Sequence, residues 1–167
     1  VKIGYPDIWE DRYADTEILA PEDGGSYFIN MLAIGQTNKA LNIKEQNEEV
    51  DKSEWILEPY IVNAGYNFSA NDITFTVAIL QAPLYDPNAS YEENLGGIGF
   101  IIAHEISHAF DNNGSKFDAE GNAKDWWTKE DYDIFNEKCK AMVEYYEGCE
   151  VIPGIGCNGT LTLGENV

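Results

Sequence analysis

The sequence predicts an α+β fold, mainly helical, with a small antiparallel sheet and one apolar helix at its centre. Three observations carry this. Residues 100–110 are apolar except for His104, Glu105, Ser107 and His108, a run long enough for about three helical turns. Residues 60–64 and 73–77 are rich in Ile, Val, Tyr, Phe and Thr, and a turn-forming stretch, residues 67–72, lies between them. Residues 129–146 set Tyr132, Phe135, Met142 and Tyr146 at helical spacing behind Thr128, a good N-cap with Asp131 three residues on.

The remaining segments follow in order. Residues 1–25 are rich in Pro, Gly, Asp and Tyr without a clean period, and read as irregular chain or a short strand. Residues 26–50 place Phe28, Leu32, Leu41 and Ile43 among polar residues, an amphipathic helix with an interruption at Gly35. Residues 51–58 read as a helix end or turn pinned by Trp55 and Leu57. Pro83 and Pro87 close the sheet region, and Gly96-Gly97-Ile98-Gly99 opens the apolar helix. That helix is apolar nearly all round, which predicts burial. It stops at Asp111-Asn112-Asn113-Gly114. Residues 115–127 read as a tight loop or hairpin, and residues after 147 as Gly-rich loop. Asp118-Ala119-Glu120-Gly121-Asn122 lacks the glycine a calcium loop needs at its sixth position and reads as a turn.

Composition narrows the function. Thirty acidic and 10 basic residues give a net charge of −20, which excludes nucleic acid and an anionic membrane surface as partners. No apolar run nears the roughly 18 residues that span a bilayer. The chain of 167 residues is one domain or part of one. Its 3 cysteines are an odd number, so they form no closed disulfide framework. Cys149 and Cys157 flank Pro153-Gly154-Ile155-Gly156, a turn that could bring them together. No CxxC pair exists, which disfavours a thiolate zinc site.

The chemistry lies in His104-Glu105-Ile106-Ser107-His108. The chain has 2 histidines, and both fall in this window. Side chains at i and i+4 share a helix face, so both imidazoles can reach one tetrahedral Zn²⁺. Glu105 lies beside that face, as suits a general base acting on water. Polar groups left unsatisfied in so apolar a helix would cost roughly 1–3 kcal/mol each, and a metal would satisfy all three. No histidine remains for a third ligand, and Asp111 stands where the extended HExxHxxGxxH form requires glycine. A carboxylate is the natural replacement, but with 30 acidic residues spacing does not select one.

The order of several short motifs resembles a known family. Asn63-Ala64, Ile79-Leu80-Gln81, Gly96-Gly97-Ile98-Gly99, the HExxH window with Phe110-Asp111-Asn112-Asn113-Gly114, Asp125-Trp126-Trp127-Thr128 and Leu163-Gly164-Glu165-Asn166 occur in that sequence. Together they resemble the catalytic domain of the neprilysin and endothelin-converting-enzyme family of zinc peptidases. The resemblance implies part of a C-terminal, thermolysin-like zincin domain over residues 1–167, one Zn²⁺, and peptide substrates. It implies Glu165 as third zinc ligand and Asp111 as the carboxylate orienting an imidazole. Asn63 and Ala64 match the strand that clamps the substrate. Ile79, Leu84 and Ile101 match the apolar pocket for the residue after the scissile bond.

The family pattern continues beyond this chain with an Asp after the GEN motif, then a His and an Arg that contact substrate, and it has a large N-terminal domain. The resemblance therefore implies a zinc endopeptidase of which these residues are a fragment, expected to be inactive alone and to need the rest of the parent chain. The alternative is a non-catalytic zinc- or peptide-binding module. Members of the family are mostly membrane-anchored or secreted.

Overall fold

The structure, a computed structural model, describes residues 1–9 and 11–166. The chain divides into two compact units, residues 6–53 and residues 1–5 with 54–167.

The first unit is a strap laid on a helix. α1 spans Tyr27–Glu45, and Ser26 caps it by accepting the Ile29 N–H at 3.2 Å. Gly35 does not interrupt it; one glycine costs a helix about 1 kcal/mol, and the turns on either side hold. The residues that turn inward are Asn30, Ala33, Ile34, Thr37, Asn38 and Leu41, whereas Phe28, Leu32 and Ile43 are exposed. The reason is polar. Residues 12–19 have no sheet partner, so α1 satisfies them with side chains. The Asn30 amide accepts from the Leu19 N–H and donates to the Leu19 C=O, both at 3.0 Å. Tyr13 donates to Asn38 at 2.9 Å, and Arg12 pairs with Glu45 at 2.8 Å.

The second unit contains a three-stranded sheet of β1 (Lys2–Gly4), β2 (Ala64–Asn67) and β3 (Asp72–Thr76), in the order β1-β3-β2. β2 runs antiparallel to β3, as expected, while β1 adds in parallel, making the sheet mixed. The Lys2 ammonium bonds Asp72 across the first pair. The first expected strand is displaced along the chain. Residues 60–63 are turns, held because the Thr76 hydroxyl lies 2.6 Å from the Ile61 C=O and 2.9 Å from the Asn63 C=O. Only from Ala64 does the chain pair with β3. Asn67 organises the connecting turn, its side-chain oxygen accepting from the Ser69 N–H at 3.1 Å. The apolar core is Ala64, Phe75, Ile79 and Ile98, rimmed by Ile73, Leu80, Leu84 and Ile101.

α2 (Tyr91–Asn94) begins at a capping box between Ser90 and Glu93 and passes through a π-helical turn, Leu95–Gly99, into α3 (Phe100–His108). α3 is not buried all round. Phe100 is 70% exposed and Ile106 49%, while the buried residue of the helix is Glu105. An apolar sequence predicts a preference for burial, not the presence of a cover. Phe117 and Ala123 form an antiparallel bridge within the loop after α3. α4 (Lys129–Glu147) has the expected cap, Thr128 Oγ1 accepting the Asp131 N–H at 3.1 Å and Asp131 accepting the Thr128 N–H at 3.2 Å. Tyr132, Phe135, Met142 and Tyr146 lie on its inner side with buried Cys139. A hairpin not expected from the sequence follows: β4 (Glu150–Ile152) and β5 (Ile155–Gly156), turning at Gly154 with φ 84°. α5 (Leu163–Asn166) ends the described chain.

Thr128→Ala should lower unfolding free energy by about 1 kcal/mol, read as a shift of the urea midpoint, with Thr128→Ser close to wild type. An unchanged midpoint in the alanine variant would show that the capping box contributes nothing.

Candidate metal centre

α3 brings His104 and His108 to one face, ring centroids 4.5 Å apart. Their Nε2 atoms approach to 3.1 Å. The His108 ring is fixed from behind: its Nδ1 lies 2.8 Å from Asp111 Oδ2. A carboxylate oxygen accepts, so it holds the proton on Nδ1 and leaves the Nε2 lone pair free to face His104.

Asp111 is itself held. It is 1% exposed, and its Oδ1 accepts the Asn113 N–H at 2.6 Å and the Gly114 N–H at 2.7 Å. The chain must fold back on the end of α3 to present those amides, and Gly114 permits it. A Cβ at Gly114 would stand 1.9 Å from the His108 C=O, so no other residue fits. The polar stop read from the sequence thus supports the His108 ring.

Glu105 is 5% exposed. Burial pushes its carboxyl above the ordinary range, opposed by His108 and His104, with Glu165 adding to the rise and a hydrogen bond from the Tyr66 backbone N–H counteracting it. β2 lies at the sheet edge and packs on α3, the helix that carries Glu105. Glu165 arrives on α5. Its Oε2 lies 3.5 Å from His104 Nε2 and 3.9 Å from His108 Nε2.

The donors fit a metal ion. A tetrahedral Zn²⁺ with ligands at 2.0–2.1 Å separates neighbouring ligand atoms by about 3.3 Å. The three spacings, 3.1, 3.5 and 3.9 Å, bracket that value. His104, Glu105 and His108 also cluster with their donor atoms within 4.8 Å of one another.

The other residues singled out in the sequence are placed as follows. Ala64 opens β2 in the core, and Asn63 is exposed just before it. Ile79, at 4% exposed, packs in the core, with Leu84 and Ile101 half-buried at its rim. Tyr66 was missed. Its contribution to Glu105 is a backbone N–H, which no residue-type pattern reveals. Asp118 forms the turn expected of it, accepting the Glu120 and Asn122 N–H groups at 3.1 and 2.9 Å.

Two imidazoles and a carboxylate converging beside a buried carboxyl define the zinc metallopeptidase class. Residues 63–167 match the model of peptidase family M13, and the chain belongs to that family. It is 42% identical over 165 residues to a neutral endopeptidase of Lactococcus lactis subsp. cremoris, covering 99% of this chain and 26% of that one. It is 38% identical over 173 residues to human neprilysin, covering 99% and 23%. Among solved structures, it resembles PepO of Lactobacillus rhamnosis with a TM-score of 0.86 at 38% identity, covering 99% of this chain and 26% of that one. The Mycobacterium tuberculosis zinc metalloprotease Zmp1, in complex with an inhibitor, gives 0.85 at 37%, covering 98% and 25%. The chain thus spans about a quarter of the length of these relatives, and the family implies zinc.

Asp111→Ala would leave the His108 Nδ1 and two backbone amides without their acceptor in a buried place. The expected loss is roughly 2–3 kcal/mol in urea unfolding. A loss below about 0.5 kcal/mol, the range of ordinary surface changes, would contradict that role.

Proposed function

We propose that this chain is part of the C-terminal, thermolysin-like catalytic domain of a zinc endopeptidase of the neprilysin kind. The observation that carries the reading is the convergence of His104 Nε2, His108 Nε2 and Glu165 Oε2 within 3.1–3.9 Å, beside buried Glu105.

His104, His108 and Glu165 hold the ion, and Asp111 orients His108. When bound, zinc supplies a Lewis acid that lowers the pKa of water toward about 7 and polarises a carbonyl. Glu105 takes the proton from the attacking water and returns it to the leaving amine. One feature of the fold supports that role: burial raises the affinity of the Glu105 carboxylate for a proton.

An extended peptide would bind along β2, the edge strand that packs on α3. Main-chain hydrogen bonds from this strand align the substrate, and the exposed Asn63 side chain adds a polar contact. The half-buried Leu84 and Ile101 line an apolar pocket for the residue after the scissile bond, with Ile79 packed behind them. Because the chain spans about a quarter of its relatives' length, these 167 residues alone should hold zinc weakly and show little turnover.

Elemental analysis of the purified chain should find about one zinc per molecule when zinc is supplied in excess, lost in the His104→Ala/His108→Ala variant. Zinc retained by that double variant would refute the site. In a full-length enzyme carrying this segment, Glu105→Gln should keep zinc and lose peptide hydrolysis by several orders of magnitude. Turnover at the wild-type rate would rule out Glu105 as the base, whereas a full-length wild type that binds zinc but hydrolyses no peptide would favour a non-catalytic binding module.

A further inference from the structure

The β4–β5 hairpin is held by little. It has 3 and 2 residues in its strands, and all of them are exposed. Val151 is 70% exposed and Ile155 56%. Two strands without a third or a covering helix are marginal in water. Yet this hairpin leads directly into the arm that carries Glu165.

Cys149 and Cys157 flank the hairpin, one residue outside each strand. Glu150 faces Gly156 in the register, which sets the two cysteines opposite each other one step further out. The Cys157 N–H donates to the Cys149 C=O at 2.9 Å. The Cys149 N–H is turned instead to the Tyr146 C=O at 3.0 Å. Residues opposite in an antiparallel register have Cα atoms about 4.5–5.5 Å apart and side chains on one face, inside the range that a disulfide spans. The third cysteine is excluded from the pairing. Cys139 lies ten positions before Cys149, most of that distance along α4, and a helical rise of about 1.5 Å per residue takes them well beyond the roughly 7 Å limit. Cys139 is also buried, and burial pushes its thiol up.

The arm that follows is knit together from Cys157 onward. Asn158 Oδ1 accepts the Leu161 N–H at 2.9 Å, and its C=O accepts the Thr162 N–H at 3.1 Å. The Thr162 C=O then accepts the Glu165 N–H at 3.0 Å. Gly159 seats the arm on α4, where an added Cβ would lie 2.4 Å from the Val143 C=O. A restraint at Cys157 therefore reaches Glu165 through short, local bonds.

We propose that Cys149 and Cys157 are a redox pair that closes to an intrachain disulfide, stapling the hairpin and fixing the arm that carries Glu165. The oxidant is a low-molecular-weight disulfide such as glutathione disulfide. One cysteine thiolate attacks it, forming a mixed disulfide and releasing one glutathione thiolate. The second attacks the protein sulfur of that mixed disulfide, releasing the other. The two cysteines lose two protons and two electrons, and glutathione disulfide is reduced to two glutathiones. The bearing of the bridge on zinc rests on the ligand role proposed for Glu165; the bridge itself does not.

The test equilibrates the purified chain in glutathione disulfide or in dithiothreitol, then alkylates it under denaturing conditions and maps the peptides. After oxidation, Cys149 and Cys157 should be joined and Cys139 alkylated. Alkylation of all three, glutathione left on either residue, or a link to Cys139 overturns the pairing. Amide hydrogen exchange over residues 158–166 should slow by about tenfold on oxidation, and not in the Cys149→Ser/Cys157→Ser variant. Equal exchange in the oxidised and reduced wild type overturns the staple. Zinc competition with a chelator separates the two readings. If the bridge forms and exchange slows while neither form binds zinc, the disulfide stands and the ligand set falls.

Discussion

The buried carboxylate of Asp111 is the contact on which the site depends. It accepts from the His108 ring on one oxygen and from two backbone amides on the other, so one side chain shapes the turn at Gly114 and orients the His108 imidazole. A charge-assisted bond to an imidazole is useful only if its own acceptor cannot move. The turn supplies that immobility, and the absence of a Cβ at Gly114 supplies the turn.

A second constraint acts from the sheet. β2 is an edge strand that packs on α3, the helix that carries Glu105. Ala64 of that strand is anchored in the core with Phe75, Ile79 and Ile98, so the strand beside the site has a fixed position. Glu165 differs in kind. Its side chain is 72% exposed and sits on a four-residue helix, so its position depends on the hairpin and arm before it and not on core packing.

The sequence reading went astray where a preference was taken for a location. Residues 60–64 have strand composition, but Thr76 captures the carbonyls of Ile61 and Asn63 and delays the strand to Ala64. Phe28 and Leu32 have the spacing of a buried face on α1, yet the strap selects the face bearing Asn30 and Asn38 because it needs hydrogen-bond partners. The β4–β5 hairpin was read as loop because five strand residues are too few for a period to register. Among the described residues no helix is long and apolar enough to cross a membrane, which agrees with the sequence.

The sequence by itself determined what depends on local spacing: the i, i+4 histidine pair, Glu105 beside it, the cap at Thr128, and the inner stripe of α4. It determined also that no third histidine of these 167 residues can join the pair, since the chain holds 2. Only the tertiary structure decided which of 30 acidic residues meets the pair, since Glu165 is brought within 3.5 Å of His104 from 61 positions away by the path of the chain. It likewise decided that β2 packs on the helix carrying Glu105. Periodicity fixes which side chains share a face of one element; which elements meet is set by packing and by the pairing of backbone groups, and those leave no local mark in the sequence.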